Sequence, residues 1–447
     1  MRALGDSENL DISRHFPYSN IMIDRPSLAS CLLLALASSV ITAGKDWPQW
    51  RGPNRDGIST ETGLLKEWPS DGPPLAWRTK GLGRGMSTVA IANERIFTQG
   101  AANKNGQPGV FVTALRVGDG SEIWSTASTT GREPQPNGTP TVDGQLLFVV
   151  GNDGDVACLE TDTGKLVWKK NFGSDFGGKC MSSWGYSESP LVDGDRLICV
   201  PGAADAGIVA LDKKTGDLVW KSAIPKLGGQ GQDGAGYTGV VVSQGAGVKQ
   251  YVTLMGRGLV GVRASDGKFL WGYNKIANGT ADIPTPLVKG DYVFGSSGYG
   301  DGGSALLKLS KAGDGVKAEE VYYLRANQLQ NHHGGMILLG DHIYLGHGHN
   351  NGFPTCVEFL TGKVVWGKER GPGSGSAAIV YADGHLYFRY QDATMALIEA
   401  TTNGYHLKGS FRLASKLAES WPHPVIHDGK LYLRDQDVLL CYDVRAK

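Results

Sequence analysis

An imbalance of charge is missing from this chain: among its 447 residues Lys and Arg number 44, and so do Asp and Glu. A protein without net charge has no long-range pull toward nucleic acid or anionic lipid, so nucleic acid is excluded as the expected partner. Cysteine is scarce too, 6 in all. Beyond Cys31 there remain Cys158, Cys180, Cys199, Cys356 and Cys441, odd in number and widely spaced. Such a set makes neither a disulfide framework nor a zinc-ligand spacing, and the apolar contexts VACLE and LICVPG suit buried thiols. Long apolar runs are absent except at residues 28–41, LASCLLLALASSVI. That run is shorter than the ~20 residues that span a bilayer.

With Arg25 before it and small residues through Gly44 after it, the run has the layout of a secretory signal, cleaved near Ala43 or Gly44. Translation would start at Met1 or Met22. The expectation is an exported protein, periplasmic or extracellular, with no membrane span in the mature chain. Leu28-Ala29-Ser30-Cys31 mimics a lipoprotein box, but the apolar run follows Cys31 instead of preceding it. Residues 1–44 are therefore read as an N-terminal extension and signal peptide, 45–72 as an arm, and 73–447 as one repeat domain.

What is plentiful is glycine, 65 residues, about twice its ordinary share near 7%. It recurs in Asp-Gly, Thr-Gly and Asn-Gly pairs between short apolar runs, the composition of tight turns between short strands. Two patterns alternate. One is a strand, a Gly-containing turn and a strand carrying tryptophan, as in CLETDTGKLVWKKN and ALDKKTGDLVWKSA. Its tryptophans are Trp124, Trp168, Trp220, Trp271 and, after a doubled interval, Trp366; Tyr322 or Tyr323 stands near the Trp position of the unit that fills the gap. The other is an apolar hairpin such as GTPTVDGQLLFVVG, found eight times from STVAIANERIFTQG to PHPVIHDGKLYLRDQ. Four strands per unit at a period of roughly 40 to 50 residues predicts an all-β, eight-bladed β-propeller of four-stranded blades. The last unit lacks its fourth strand, while PPLAWRTK from Pro73 carries Trp77 in the fourth-strand pattern without a hairpin before it. Pairing of these N-terminal and C-terminal strands would close the ring and remove its open edges.

The Thr-Gly-x-x-x-Trp units at Thr163–Trp168 and Thr215–Trp220 resemble the PQQ-like (pyrroloquinoline quinone) β-propeller repeat, and the likeness runs from about Asp46 to the C-terminus. The opening DWPQWRGPNRDG is similar to the starts of exported members of that superfamily, and its aromatics are expected to cover an end or side of the ring. The repeat marks blade docking and occurs both in quinoprotein dehydrogenases and in propellers that bind no quinone.

Half of the chain's 10 histidines lie within QNHHGGMILLGDHIYLGHGHNNG, residues 330–352. In a propeller the connections between blades share one face with the loops between second and third strands. That places His332, His333, His347 and His349 on one rim and His342 on the other. The same rim receives Trp184, Glu188, Asn278, Asp282, Arg370 and Trp421, whereas the opposite face holds interchangeable turn pairs. A polar rim opposite plain turns reads as a binding site. The four histidines could bind a transition metal with Glu188 or Asp282 assisting, form a hydrogen-bonded polar rim, or line a pocket for an organic ligand or cofactor.

Two functions follow. One is an exported module that binds a protein, glycan or small molecule at the rim; in fold this resembles the propeller lipoprotein of the outer-membrane barrel-assembly machinery. The other, implied by the resemblance, is a quinoprotein dehydrogenase oxidising an alcohol or sugar. There PQQ with Ca²⁺ would be held by Glu188 and Asn278, with Asp282 as base, Trp184 or Trp421 stacking, and Arg370 at the cofactor. Against the second stand the lack of a vicinal Cys-Cys, of a C-x-x-C-H haem motif and of long inserted segments.

Overall fold

The computed structural model describes residues 46–446, apart from 368; the expected signal segment lies outside the described residues. Within them eight antiparallel sheets succeed one another along the chain, each with four strands of a blade. Blades one to seven span 90–130, 141–171, 191–222, 241–273, 287–325, 331–366 and 377–412. Each hairpin recognised in the sequence forms the two innermost strands of one blade. Among the described residues no helix is long and apolar enough to cross a membrane, and the five cysteines there are free thiols, four of them buried.

Closure takes place as the sequence predicts. Leu75–Thr79 pairs antiparallel with Val438–Asp443 and completes blade eight, placing Trp77 opposite Cys441. The joint between blades eight and one is tied by Arg434, which is fully buried. Its guanidinium donates to Thr98 Oγ1 at 2.6 Å and to the carbonyls of Leu82 and Gly83 at 3.1 and 2.9 Å.

The spacing of glycine and tryptophan has a packing cause. Three of the repeat tryptophans lean against the neighbouring blade and donate the indole N–H to a backbone oxygen there: Trp124 to Thr161, Trp168 to Lys213 and Trp366 to Thr401, at 3.0, 3.0 and 2.7 Å; Trp271 donates instead to Gln250 Oε1 within its own blade, at 2.6 Å. In blade five the pairing Leu306 with Tyr322 picks out Tyr322, whose hydroxyl reaches the Phe359 carbonyl at 2.8 Å. The turn glycine of the next blade sits under the ring. A Cβ on Gly164 would lie 2.5 Å from Trp124, and one on Gly216 2.8 Å from Trp168, both at positive φ. The glycine of one repeat thus serves the tryptophan of the repeat before it.

The N-terminal arm departs from the expected cover. It threads the axis. Ile58–Ser59 adds a fifth, parallel strand to blade seven beside its innermost strand, Ala377–Ala382. Around it the arm bonds in turn to Ile91 of blade one through Trp47, to Val142 of blade two through Pro48, and to Thr285 ahead of blade five through Trp50. Arg55 donates to the carbonyls of Ser189 and Pro190 at 2.6 and 3.1 Å, and Arg51 to that of Met336 in blade six. Glu61 accepts from the amides of Asp428 and Gly429 in blade eight. Inner strands of a ring leave backbone and side-chain groups facing a channel too narrow for a domain, and an extended polar segment satisfies them.

Candidate functional site

On the rim singled out in the sequence the axial plug leaves a basin of about 440 Å³. Its wall comes from inter-blade connections (Met86, Asn137, Trp184, Tyr237, Ile283, Trp421), from second-to-third-strand loops (Asn152, Tyr299) and from blade six (His332, His333). Trp50 of the arm forms the floor, its ring 4.4 Å from that of His423.

His332 and His333 reach the basin by a bulge instead of lying in the connection ahead of the strand. The innermost strand of blade six runs Asn331–Leu339, and its ladder jumps from Asn331 opposite His347 to Met336 opposite Leu345. The intervening His-His-Gly-Gly is looped out toward the axis. Both glycines are required: a Cβ on Gly334 would collide with the Ala377 carbonyl, and Gly335 has φ +75° and lies against the Arg51 guanidinium.

Three of the four rim histidines meet. The His332 ring is 4.8 Å from that of His333 and 4.3 Å from that of His349, with Tyr299 4.9 and 4.6 Å from His332 and His349. His333 also lies 5.2 Å from Trp421. His332 Nδ1 shares a hydrogen bond with Ser376 Oγ. His347 stands apart, its Nδ1 accepting the Gln330 amide at 3.2 Å, and His423 joins the group through a 3.2 Å contact from Nε2 to the His333 carbonyl. Among the described residues no group of three or more His, Cys, Asp or Glu is arranged to hold a metal ion.

The residues that the quinoprotein resemblance would use are placed differently. Trp184 and Trp421 line the basin. Glu188 is buried beneath it, both carboxylate oxygens accepting the Val200 amide at 2.9 and 3.0 Å. Asn278 is buried and spent on its own loop: its amide nitrogen donates to the Ala281 carbonyl and Asp282 Oδ1, and its oxygen accepts from the amides of Thr280 and Ala281. Asp282 is fully buried, Oδ1 taken by Asn278. Its Oδ2 has no well-formed hydrogen bond, although the Ser297 hydroxyl is near enough to favour the charged form slightly. Arg370 is exposed in the connection after blade six and does not line the basin.

Tyr237 and His423 line the basin from connections that the sequence already assigns to this rim, whereas Trp50, Asn152 and Tyr299 are among the lining residues that escaped the sequence reading. Tyr299 carried a signal, since it sits in the Gly-rich turn SSGYGDGG and adopts φ +64°. A non-glycine residue held there costs about 1 kcal/mol or more, a strain concentrated at functional sites.

Burial sets the protonation of the site. It pushes His332 down to about 2, aided by His333 and His349, and His333 and His423 down to about 3, aided respectively by His423 and by Arg51. It pushes Glu188 up to about 8 and Asp282 well above the carboxylate range. Below about 6.5 the unfolded chain protonates the three imidazoles and the folded one does not, so their effect lowers stability as pH falls. Above about 4.5 the unfolded chain releases carboxyl protons that folded Glu188 keeps up to about 8 and folded Asp282 holds longer than an ordinary carboxyl, so this effect lowers stability as pH rises. Four lowered imidazoles, His349 included, outnumber the three raised carboxyls, Asp56 included, below 6.5, and above it the carboxyls act alone. The expected thermal-stability profile peaks near pH 6 to 7, with a slope of about 1.4 kcal/mol per pH unit for each net proton. Calorimetry across pH 4 to 9 checks this, and a flat plateau from 5 to 8 would contradict it.

The matching family is described as outer membrane protein assembly factor BamB, and the match covers residues 109–368. No curated protein sequence matches the chain. Among solved structures, BamB from Moraxella catarrhalis is 14% identical with a TM-score of 0.58, over 83% of this chain and 99% of that one. Quinohemoprotein alcohol dehydrogenase from Comamonas testosteroni is 13% identical with a TM-score of 0.59, over 90% and 81%. A europium-containing methanol dehydrogenase is 13% identical with a TM-score of 0.60, over 88% and 89%. At such identities these likenesses speak to the fold.

Proposed function

This chain belongs to the PQQ-like β-propeller family whose description is outer membrane protein assembly factor BamB, and from that premise we propose that it is an exported, non-catalytic binding module that holds its ligand in the histidine-rich basin of the rim. The observation that carries this reading is the basin itself: a concave site of about 440 Å³, floored by Trp50 and walled by Trp184, Tyr237, Tyr299 and Trp421. Aromatic walls with a few neutral polar groups and a volume within roughly 300 to 1,000 Å³ are what small-ligand sites have in common.

The quinoprotein alternative draws on the alcohol dehydrogenases among the structural neighbours, but the residues here do not fit the cofactor. PQQ is a tricarboxylate, and no Lys or Arg lines the basin. Glu188 and Asn278 have committed their oxygens to backbone amides beneath the wall, which leaves no open carboxylate and amide pair for Ca²⁺. Export and a periplasmic or extracellular setting belong to the proposal through the apolar segment at 28–41.

Two measurements test the reading. Incubation of the purified protein with PQQ and Ca²⁺ is expected to leave no retained chromophore and no alcohol-dependent dye reduction; stoichiometric retention with turnover would overturn it. A thermal-shift screen of chemically diverse ligands is expected to yield hits that Trp421→Ala abolishes and Lys311→Ala, exposed near the end of the third strand of blade five, preserves. A ligand at 100 times its Kd stabilises by about 2.7 kcal/mol, enough to resolve. Hits insensitive to Trp421→Ala would place the site elsewhere.

A further inference from the structure

We propose that the basin receives an uncharged, hydroxylated ring, the end of a neutral glycan. This rests on the binding-module reading and names its ligand class. The lining residues include no Asp, Glu, Lys or Arg, although these make up 20% of the chain. Its imidazoles add no charge at neutral pH, because burial keeps them deprotonated. A charged ligand entering such a basin would lose hydration without gaining a counter-ion, an uncompensated desolvation. A neutral ligand avoids that cost.

The wall also divides into two kinds of surface. One is aromatic: Trp184 stands at the lip, 55% exposed, and Tyr299 and Trp421 flank the histidines opposite. A large exposed indole is unusual on a surface and suits an amphipathic partner. A sugar ring presents C–H faces that pack on such rings, and around its edge hydroxyls that each donate and accept. The second kind of surface answers those hydroxyls. Asn137 and Asn152 anchor their amide nitrogens on Ser187 Oγ at 2.9 Å and the Trp184 carbonyl at 2.6 Å. No hydrogen bond among the described residues ends on either side-chain oxygen, which leaves two pre-oriented acceptors beside Gln135 and Ser183. The anchoring of Asn152 also fixes the Trp184 loop, so platform and acceptor are set together. A peptide would instead call for main-chain partners, whereas this basin presents side chains.

Titration calorimetry and tryptophan fluorescence with maltotriose, cellotriose, xylotriose, mannotriose, tri-N-acetylchitotriose and, as the acidic control, trigalacturonate test the proposal. At least one neutral trisaccharide is expected to bind, with affinity indifferent to salt. Trp184→Ala and Trp421→Ala, at a solvent-facing lip and a half-buried wall, are each expected to weaken it at least about tenfold. Asn152→Asp, which keeps the outline but replaces the amide that donates to the Trp184 carbonyl with a charged acceptor, is expected to weaken neutral binding with the fold intact by circular dichroism. Tighter binding of trigalacturonate than of every neutral analogue would overturn the proposal, as would silence across the whole panel. Should the panel be silent while the thermal-shift screen gives a Trp421-dependent hit, peptide or other, the glycan assignment falls and the binding module stands; should both be silent, both fall.

Discussion

Arg55→Met is expected to destabilise the protein by about 3 to 5 kcal/mol, the cost of removing the guanidinium from a buried hydrogen-bond network. Arg55 is 4% exposed, and burial pulls its guanidinium down to about 10, so it remains charged at neutral pH. It serves the Ser189 and Pro190 carbonyls and Gln49 Oε1. Methionine preserves length and apolar contact but leaves the buried Ser189 carbonyl without its donor, at about 1 to 3 kcal/mol, and the Pro190 carbonyl with the Thr141 hydroxyl alone. It also removes the positive charge that holds down the Glu188 carboxyl. Urea denaturation gives the stability change directly. Trp50 reports on the same event, because a Cβ on Gly239 would touch both Arg55 and Trp50; its fluorescence is expected to shift as the floor loosens. A loss under about 1 kcal/mol would mean that the arm is a passive filler.

The second large effect is expected at the ring closure. Arg434→Met should likewise cost about 3 to 5 kcal/mol, and it should act locally. Arg434 joins blade eight to Thr98 in blade one and to the carbonyls of Leu82 and Gly83, just after the closing strand. Arg434→Lys should rescue little, since an ammonium has one centre where a guanidinium spreads its donors over three. Hydrogen exchange should then report faster opening of Leu75–Thr79 and Val438–Asp443, while blades three to five keep their protection. Uniform loss of protection around the ring would show that closure carries no separate stability.

Blade count, blade order and closure were legible in the sequence because each rests on a local pattern that repeats. A two-residue turn between apolar runs has few structural alternatives, and eight of them in register fix a ring. The choice of rim was legible for a related reason, as loops that deviate from plain turn chemistry gather at one face. Details within the rim were not. The inward carriage of His332 and His333 depends on a bulge, and a bulge leaves no periodic trace. His347 is turned to the backbone amide of Gln330, a local bond that the spacing of histidines does not announce. Glu188, Asn278 and Asp282 had suitable chain positions, yet a polar residue in a connection can be a ligand or a strut that holds the connection. Here their partners lie under the wall. The path of the arm was the largest gap, because a short segment with a two-residue strand announces nothing about which of eight blades it will touch.

That path has an evolutionary corollary. The base of the basin is set by Trp50, which is no part of the repeat, whereas the blades are tied to one another by interlocking pairs of indole and glycine. Within the arm the two tasks fall to different side chains: exchanging Trp50 redraws what the mouth accepts, while Arg51 and Arg55 go on tying the arm to the blades.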